Sequence, residues 1–182
     1  MLHATTVTTP EELEQIYRLN RQNLKQHMDA DTRAVEGFVS WLYSPQLLQQ
    51  MHALAPSIIV KDNDEVVAYA LTTLKEAASF HADLATMFNN LRHVQYRGRP
   101  LSEHSFYCIG QICVAKSHRG QGLVNLLYQK HREEYAARFP FVLTEISTGN
   151  PRSLKAHEKT GFITIHTYED QQDQWNVVVW EF

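Results

Sequence analysis

FYCIGQICVAKSHRGQGLVNLLY, residues 106–128, runs from a nearly unbroken apolar stretch, through a loop with two glycines and a basic pair, into a helix-patterned stretch. An apolar run that does not alternate predicts a central strand covered on both faces. The run from about Gly122 to Arg138 carries its apolar residues at helical spacing and predicts a helix. The junction is therefore strand, loop, helix. A helix N-terminus leaves backbone N–H groups unpaired and carries partial positive charge, so such a junction can hold an anion. Glycine removes the Cβ that would block approach, and it tolerates positive φ. His118 and Arg119 add charge at the rim. Taken alone, RGQG fits either a phosphate cradle or a tight connection. The Walker A pattern and the dinucleotide fingerprint are both absent from the sequence.

Outward from this junction the chain reads as alternating strands and helices. A short strand at His3–Val7 precedes Thr9-Pro10-Glu11-Glu12, which supplies an N-cap, a first-turn proline and an N3 carboxylate for a helix to about Lys25. A further helix is expected from Asp31, with Ser44-Pro45 restarting it, so that 32–54 forms two helices. SIIVKDNDEVVAYALTT, residues 57–73, reads as a hairpin around Asp62-Asn63-Asp64. After the 122–138 helix come a strand at 141–147, a short helix at 151–159, and strands near 162–168 and 174–181. Helices between buried strands imply an α/β protein around a mixed sheet. Some thirty residues, at about 76–105, interrupt this order as an insertion in a single 1–182 domain. They carry Leu84, Phe88 and Leu91 on one helical face. An insertion beside a rigid sheet can serve as a binding loop or as plain decoration.

Composition narrows the classes. The chain has 182 residues, 43% hydrophobic content and a net charge of −3, enough for a full core and without global attraction for nucleic acid or an anionic membrane. No stretch approaches ~18 uncharged apolar residues, and MLHATTVTTPEELEQ lacks a basic n-region and an apolar core, so a cytoplasmic protein is expected. Cys108 and Cys113 lie five apart in one strand and are expected on opposite faces, which suits neither a disulfide nor a metal pair. The ten histidines form no metal-ligand spacing, so no metal is expected.

A second stretch, STGNPRSLKAHEKTGF at 147–162, sets Asn150 as N-cap, Pro151 at the first helical position and Gly161 as the residue that ends the helix. V-x-x-x-x-R-G-Q-G after a buried strand, then N-P-R-S-x-x-x-H-E-K-x-G-F, resembles the acetyl-CoA-dependent GNAT N-acetyltransferases over nearly the whole chain.

That resemblance implies a mostly antiparallel central sheet of about seven strands flanked by helices, with its fourth and fifth strands splayed to hold CoA. It implies that loop amides from Arg119 through Gly120, Gln121, Gly122, Leu123 and Val124 wrap the CoA pyrophosphate. Val124 departs from the family's small residue. Ile112, Cys113 and Val114 would pair with the pantetheine arm, and Asn150, with Ser153, would contact the cofactor. His157 stands where many members have the tyrosine that protonates the departing thiolate.

Acetyl transfer to an amine needs a neutral nucleophile, a stabilised oxyanion and a proton for the thiolate. The resemblance implies direct attack in a ternary complex, with a strand amide near Val114 as oxyanion donor. Glu145, a carboxylate within a largely apolar strand, is the candidate base; it also fits a structural carboxylate. His157 is the candidate acid; it also fits plain packing. Gln111 can orient substrate but cannot act as a base. Neither cysteine has a visible base partner that would make it a nucleophile, and Lys155, Glu158 and Lys159 read as a solvated helix face.

The leading expectation is an N-acetyltransferase acting on a primary amine of a small molecule. The alternatives are a non-catalytic acyl-CoA sensor, or an interaction module whose last strand, WNVVVWEF, pairs at an exposed edge and allows a homodimer.

Overall fold

The computed structural model describes residues 1–28 and 37–182. Seven strands form the main sheet: β1 (Leu2–Thr6), β2 (Ile58–Asp62), β3 (Glu65–Thr73), β6 (Tyr107–Val114), β7 (Phe141–Ser147), β8 (Ile163–Glu169) and β9 (Gln174–Glu181). Their spatial order is β1-β2-β3-β6-β7-β9-β8, and every neighbouring pair is antiparallel except β6 and β7. Five helices flank it: α1 (Pro10–Gln22), α2 (Pro45–Leu54), α3 (Ala82–Leu91), α4 (Leu123–Tyr135) and α5 (Pro151–Thr160). The fold is thus the mixed, mostly antiparallel α/β sheet that the sequence predicts.

Local signals set the element starts. Thr9 caps α1 by accepting the Glu12 N–H (3.2 Å), while the Glu12 carboxylate accepts the Thr9 N–H (3.1 Å). Ser44 caps α2 and Asn150 caps α5, each followed by proline. The expected helix near Asp31 begins outside the described residues, and the described stretch 37–44 is not helical. Instead Val39 bridges to Leu24, which sends 37–43 across the front of the sheet.

One face of the sheet carries α4 and α5, packed through Leu123, Leu127 and Tyr128 against Val67, Ile109 and Val142. The other carries α1 and α2, with Ile16, Leu48 and Met51 against Ile59, Tyr69 and Leu71. The insertion folds on that second face as α3 and a two-strand hairpin, β4 (Gln95–Tyr96) and β5 (Arg99–Pro100), seated on Phe141, Leu143 and Val177.

Two expectations are corrected. Ala70 pairs with Ile112 but Thr72 with Ile109, so two steps of β3 face three of β6. The extra residue is a β-bulge at Gly110-Gln111, which shifts the side-chain alternation by one. Cys108 and Cys113 therefore share the α1/α3 face rather than opposite faces, Cys108 beside Phe141 and Cys113 beside Tyr69. Both thiols are free. The last strand is no edge either: β9 lies between β7 and β8 with Val177–Trp180 buried, because the β8–β9 hairpin folds back into the sheet. The edge strands of the sheet are β8 and β1.

Candidate active site

The bulge opens the centre of the sheet. β6 and β7 pair only at Tyr107↔Val142 and Cys108↔Leu143, and beyond those residues no ladder joins them. Ala115 N–H reaches across to Val67 O (2.8 Å) on the β3 side. Alternation along the strand then turns the Val114 peptide groups toward the opening, where Arg119 Nε donates to Val114 O (3.2 Å).

A cleft of about 470 Å³ fills this opening, lined by Ile112–Val114, by the loop into α4, and by one face of α5. Gly120 and Gly122 both hold positive φ, +81° and +78°, and Gly122 is the N-cap of α4. A Cβ added at either would meet nothing within 4 Å. Glycine is needed there for backbone conformation, and the loop surface is left open. The first intrahelical bond of α4 is Leu126 N–H to Gly122 O (3.2 Å), so the amides before Leu126 belong to the open N-terminal turn. Arg119 also donates to Asn23 Oδ1 (2.6 Å), which ties the loop to the end of α1. Of the expected loop residues, Arg119, Gly120, Gly122, Leu123 and Val124 line the cleft; Gln121 is exposed and does not.

Four lysine and arginine residues line the cleft, Arg119, Arg152, Lys155 and Lys159, beside His118 and His157, and no carboxylate does among the described residues. Lys155, Glu158 and Lys159 are exposed, as a solvated helix face should be, and the docking of α5 along the mouth also sets Lys155 and Lys159 on the cleft rim, a placement that spacing alone does not reveal.

Asn150, buried at the start of α5, accepts from Ser153 N–H (3.2 Å) and donates to Phe38 O (3.1 Å), fastening the 37–43 segment across the cleft. Four residues on, His157 is buried. Its Nδ1 lies 2.8 Å from Ser153 O, which requires the proton there, so Nε2 accepts from the Tyr128 hydroxyl at 2.6 Å. Burial lowers its pKa to about 4, opposed by the bond to Ser153 O. The imidazole is neutral at physiological pH and both nitrogens are engaged. Burial and the two hydrogen bonds favour the packing alternative for this residue, with the ring joining Tyr128 to α5.

A second cavity of about 290 Å³ lies on the α1/α3 face and shares Phe38, Val39, Ile112, Asn150, Ser153 and His157 with the first. Glu145 projects into it from β7, with its Oε1 accepting from the Tyr168 hydroxyl (2.8 Å). Burial raises its pKa to about 7; the Tyr168 bond opposes that rise and the Asp170 charge adds to it. Gln111 is committed to structure: its Oε1 accepts from Tyr69 OH (2.6 Å) and its Nε2 donates to Trp41 O (2.7 Å). Asp83 from α3, Asp170, Trp41, Tyr43 and Trp175 complete walls that only the tertiary packing assembles. Burial pushes both thiols up, Cys113 to about 12 and Cys108 well above its ordinary value, so neither offers a thiolate. Among the described residues no group of three potential metal ligands gathers, and no helix is long and apolar enough to cross a membrane.

A sheet split between parallel central strands, with a glycine loop and a helix N-terminus at the mouth, is the arrangement that the resemblance to the GNAT N-acetyltransferases implies. The chain matches the acetyltransferase (GNAT) family over residues 13–162 and belongs to that family. No curated protein sequence matches it. Among solved structures it is similar to a GNAT-family acetyltransferase from Streptococcus agalactiae, at 12% identity and TM-score 0.68, covering 100% of this chain and 95% of that one. It is similar to the ribosomal-protein-S18-alanine N-acetyltransferase of Escherichia coli, at 12% identity and TM-score 0.64, covering 100% and 94%. It is also similar to Arabidopsis thaliana NAA60 in complex with acetyl-CoA, at 13% identity and TM-score 0.64, covering 100% of both.

Proposed function

We propose that this acetyltransferase carries the acetyl group of acetyl-CoA to a primary amine of a small molecule, by direct attack while both substrates are bound. The observation that carries this reading is the pair of cavities meeting at Ile112, Ser153 and His157, one walled by cations and the other by carboxylates. The anionic donor belongs in the first. Its pyrophosphate fits the open amides between Arg119 and Val124, and its pantetheine arm fits the unpaired edge Ile112–Val114. Asn150 and Ser153 border its reactive end. Acetyl-CoA supplies an activated thioester when bound; the protein's part is to orient it and to move protons.

Glu145 is the base of this scheme. An aliphatic ammonium must lose a proton before its nitrogen can attack, and a carboxylate titrating at about 7 is matched to accept it at neutral pH. The Val114 N–H faces the charge that develops on the carbonyl oxygen. The thiol side needs no imidazolium, because a thiol of ordinary pKa ~8.5 leaves as thiolate and takes its proton from water. His157 and Tyr128 act by position.

The test is thiol release from acetyl-CoA across a panel of primary amines, with wild type against Glu145→Gln. Amine-dependent release lost in the variant supports the reading. Acetyl-CoA binding without release for any amine would instead make the chain a sensor of the donor.

A further inference from the structure

Glu145 accounts for one carboxylate of the acceptor cavity, and two more remain without a part in the transfer. Asp83 comes from α3 of the insertion and Asp170 from the turn between β8 and β9, so separate elements deliver them to one cavity. Asp170 is fixed there: its Oδ1 accepts the N–H groups of Gln172 (2.8 Å) and Asp173 (2.9 Å). Burial opposes its charge, but those N–H groups outweigh burial and hold its carboxyl below the ordinary value. Aromatic surfaces line the same cavity, with Trp41 against Tyr43 at 4.2 Å between centroids. No lysine or arginine lines the cavity among the described residues.

An acceptor bearing a carboxylate near its amine would bring a fourth negative charge into this cavity, with no lysine or arginine among the described lining residues to receive it. A neutral alkyl amine would leave two carboxylates facing apolar carbon. A peptide N-terminus offers one ammonium followed by uncharged amides, which leaves the remaining carboxylates without a charge to meet. Two ammonium groups joined by a short carbon chain answer both kinds of wall: one amine at Glu145, the chain against the aromatic faces, and the second ammonium at Asp170 or Asp83.

Resting on the transfer reading above, we propose that the acceptor is a small diamine or polyamine, selected by its second positive charge. The step balances: the first ammonium gives one proton to Glu145, its nitrogen forms the C–N bond as the C–S bond breaks, and the nitrogen's second proton passes through water to the departing thiolate, leaving a neutral amide and the free thiol. Glu145 then returns its proton to solvent, and the second ammonium is unchanged.

The test compares three acceptors of one chain length: 1,4-diaminobutane, 1-aminobutane and 4-aminobutanoate, which end in a positive, a neutral and a negative group. Thiol release should give a kcat/KM for the diamine at least tenfold above the monoamine, with 4-aminobutanoate at least tenfold below it. Added salt should shrink the diamine's advantage. Asp170→Asn and Asp83→Asn should each lower kcat/KM more for the diamine than for the monoamine, closing the gap between them. Equal values for the three acceptors, or a tripeptide N-terminus preferred over the diamine, would overturn the proposal while leaving acetyl transfer intact. If no amine releases thiol, calorimetry in the presence of CoA decides: binding of the diamine and not of 4-aminobutanoate keeps the cation site while the transfer reading falls, and no such difference overturns the site as well.

Discussion

Replacing Glu145 with glutamine separates its chemistry from its burial. The amide oxygen can still accept the Tyr168 hydroxyl, so packing is preserved and only the ionisable group is lost. Three groups bear on Glu145: Tyr168, Asp170 and the Cys108 thiol on β6. Its pKa is raised from 4.5 to about 7, chiefly by burial. A raised carboxyl contributes stability that is full below the unfolded value and is lost as pH rises through the folded one. The window is therefore between about pH 4.5 and pH 7. At ~1.4 kcal/mol per unit, the deprotonated carboxylate costs the fold on the order of 3 kcal/mol above that window. Denaturant unfolding should show Glu145→Gln as stable as wild type near pH 4 and more stable by up to about 3 kcal/mol at pH 8.5. Activity should move oppositely. Wild-type kcat/KM, which reports the free enzyme, should rise with pH and level off above about 7; the variant should lose that limb and fall by about 10²–10⁴. A stability difference that stays flat with pH would refute the burial argument. A variant with wild-type kcat/KM would refute the base.

Gly122→Val places a β-branched residue at φ +78° in the loop, and calorimetry should show acetyl-CoA binding weakened more than about tenfold, ~1.4 kcal/mol, in a folded protein. Wild-type affinity would remove the loop from the donor site. Gly110→Ala drives a Cβ to 2.4 Å from Thr73 Oγ1 and 2.7 Å from Tyr43 OH at the bulge, and thermal unfolding should report a loss of about 1–3 kcal/mol. His157 should keep one ring-proton signature by NMR from pH 5 to 9, since burial holds it near 4; a midpoint near its ordinary 6.5 would restore the imidazolium acid. His157→Phe leaves the Tyr128 hydroxyl buried without its acceptor and should destabilise the protein by about 1–3 kcal/mol, with kcat reduced less than by Glu145→Gln.

The order of elements was legible because each carried a local signal. Thr9-Pro10 and Asn150-Pro151 start helices through side-chain oxygens that satisfy N–H groups two or three residues on, and Gly161 ends one by taking φ +109°. The unalternating 106–114 run declared a strand buried on both faces, and Gly120 and Gly122 declared a loop needing positive φ. These are short-range effects, written in neighbouring residues. The bulge at Gly110-Gln111 was not legible in this way, because what demands glycine there is the approach of Thr73 and Tyr43, 37 and 67 residues away. That one extra residue reversed the expected facing of the cysteines and spread β6 from β7. The charge of the two cavities was equally hidden. A net charge of −3 gave no hint that Arg119, Arg152 and Lys155 gather on one side and Asp83, Glu145 and Asp170 on the other. His157 could be aligned from its spacing to Gly161, but its protonation could not, since an imidazole's charge depends on burial and on both hydrogen-bond partners. Tyr128, one of those partners, lies on a different helix. Local sequence determined which segments are helix, strand and loop; long-range packing decided where the opening lies, which charges face it and which of them can take a proton, because desolvation and Coulomb terms act through space between residues that the chain keeps far apart.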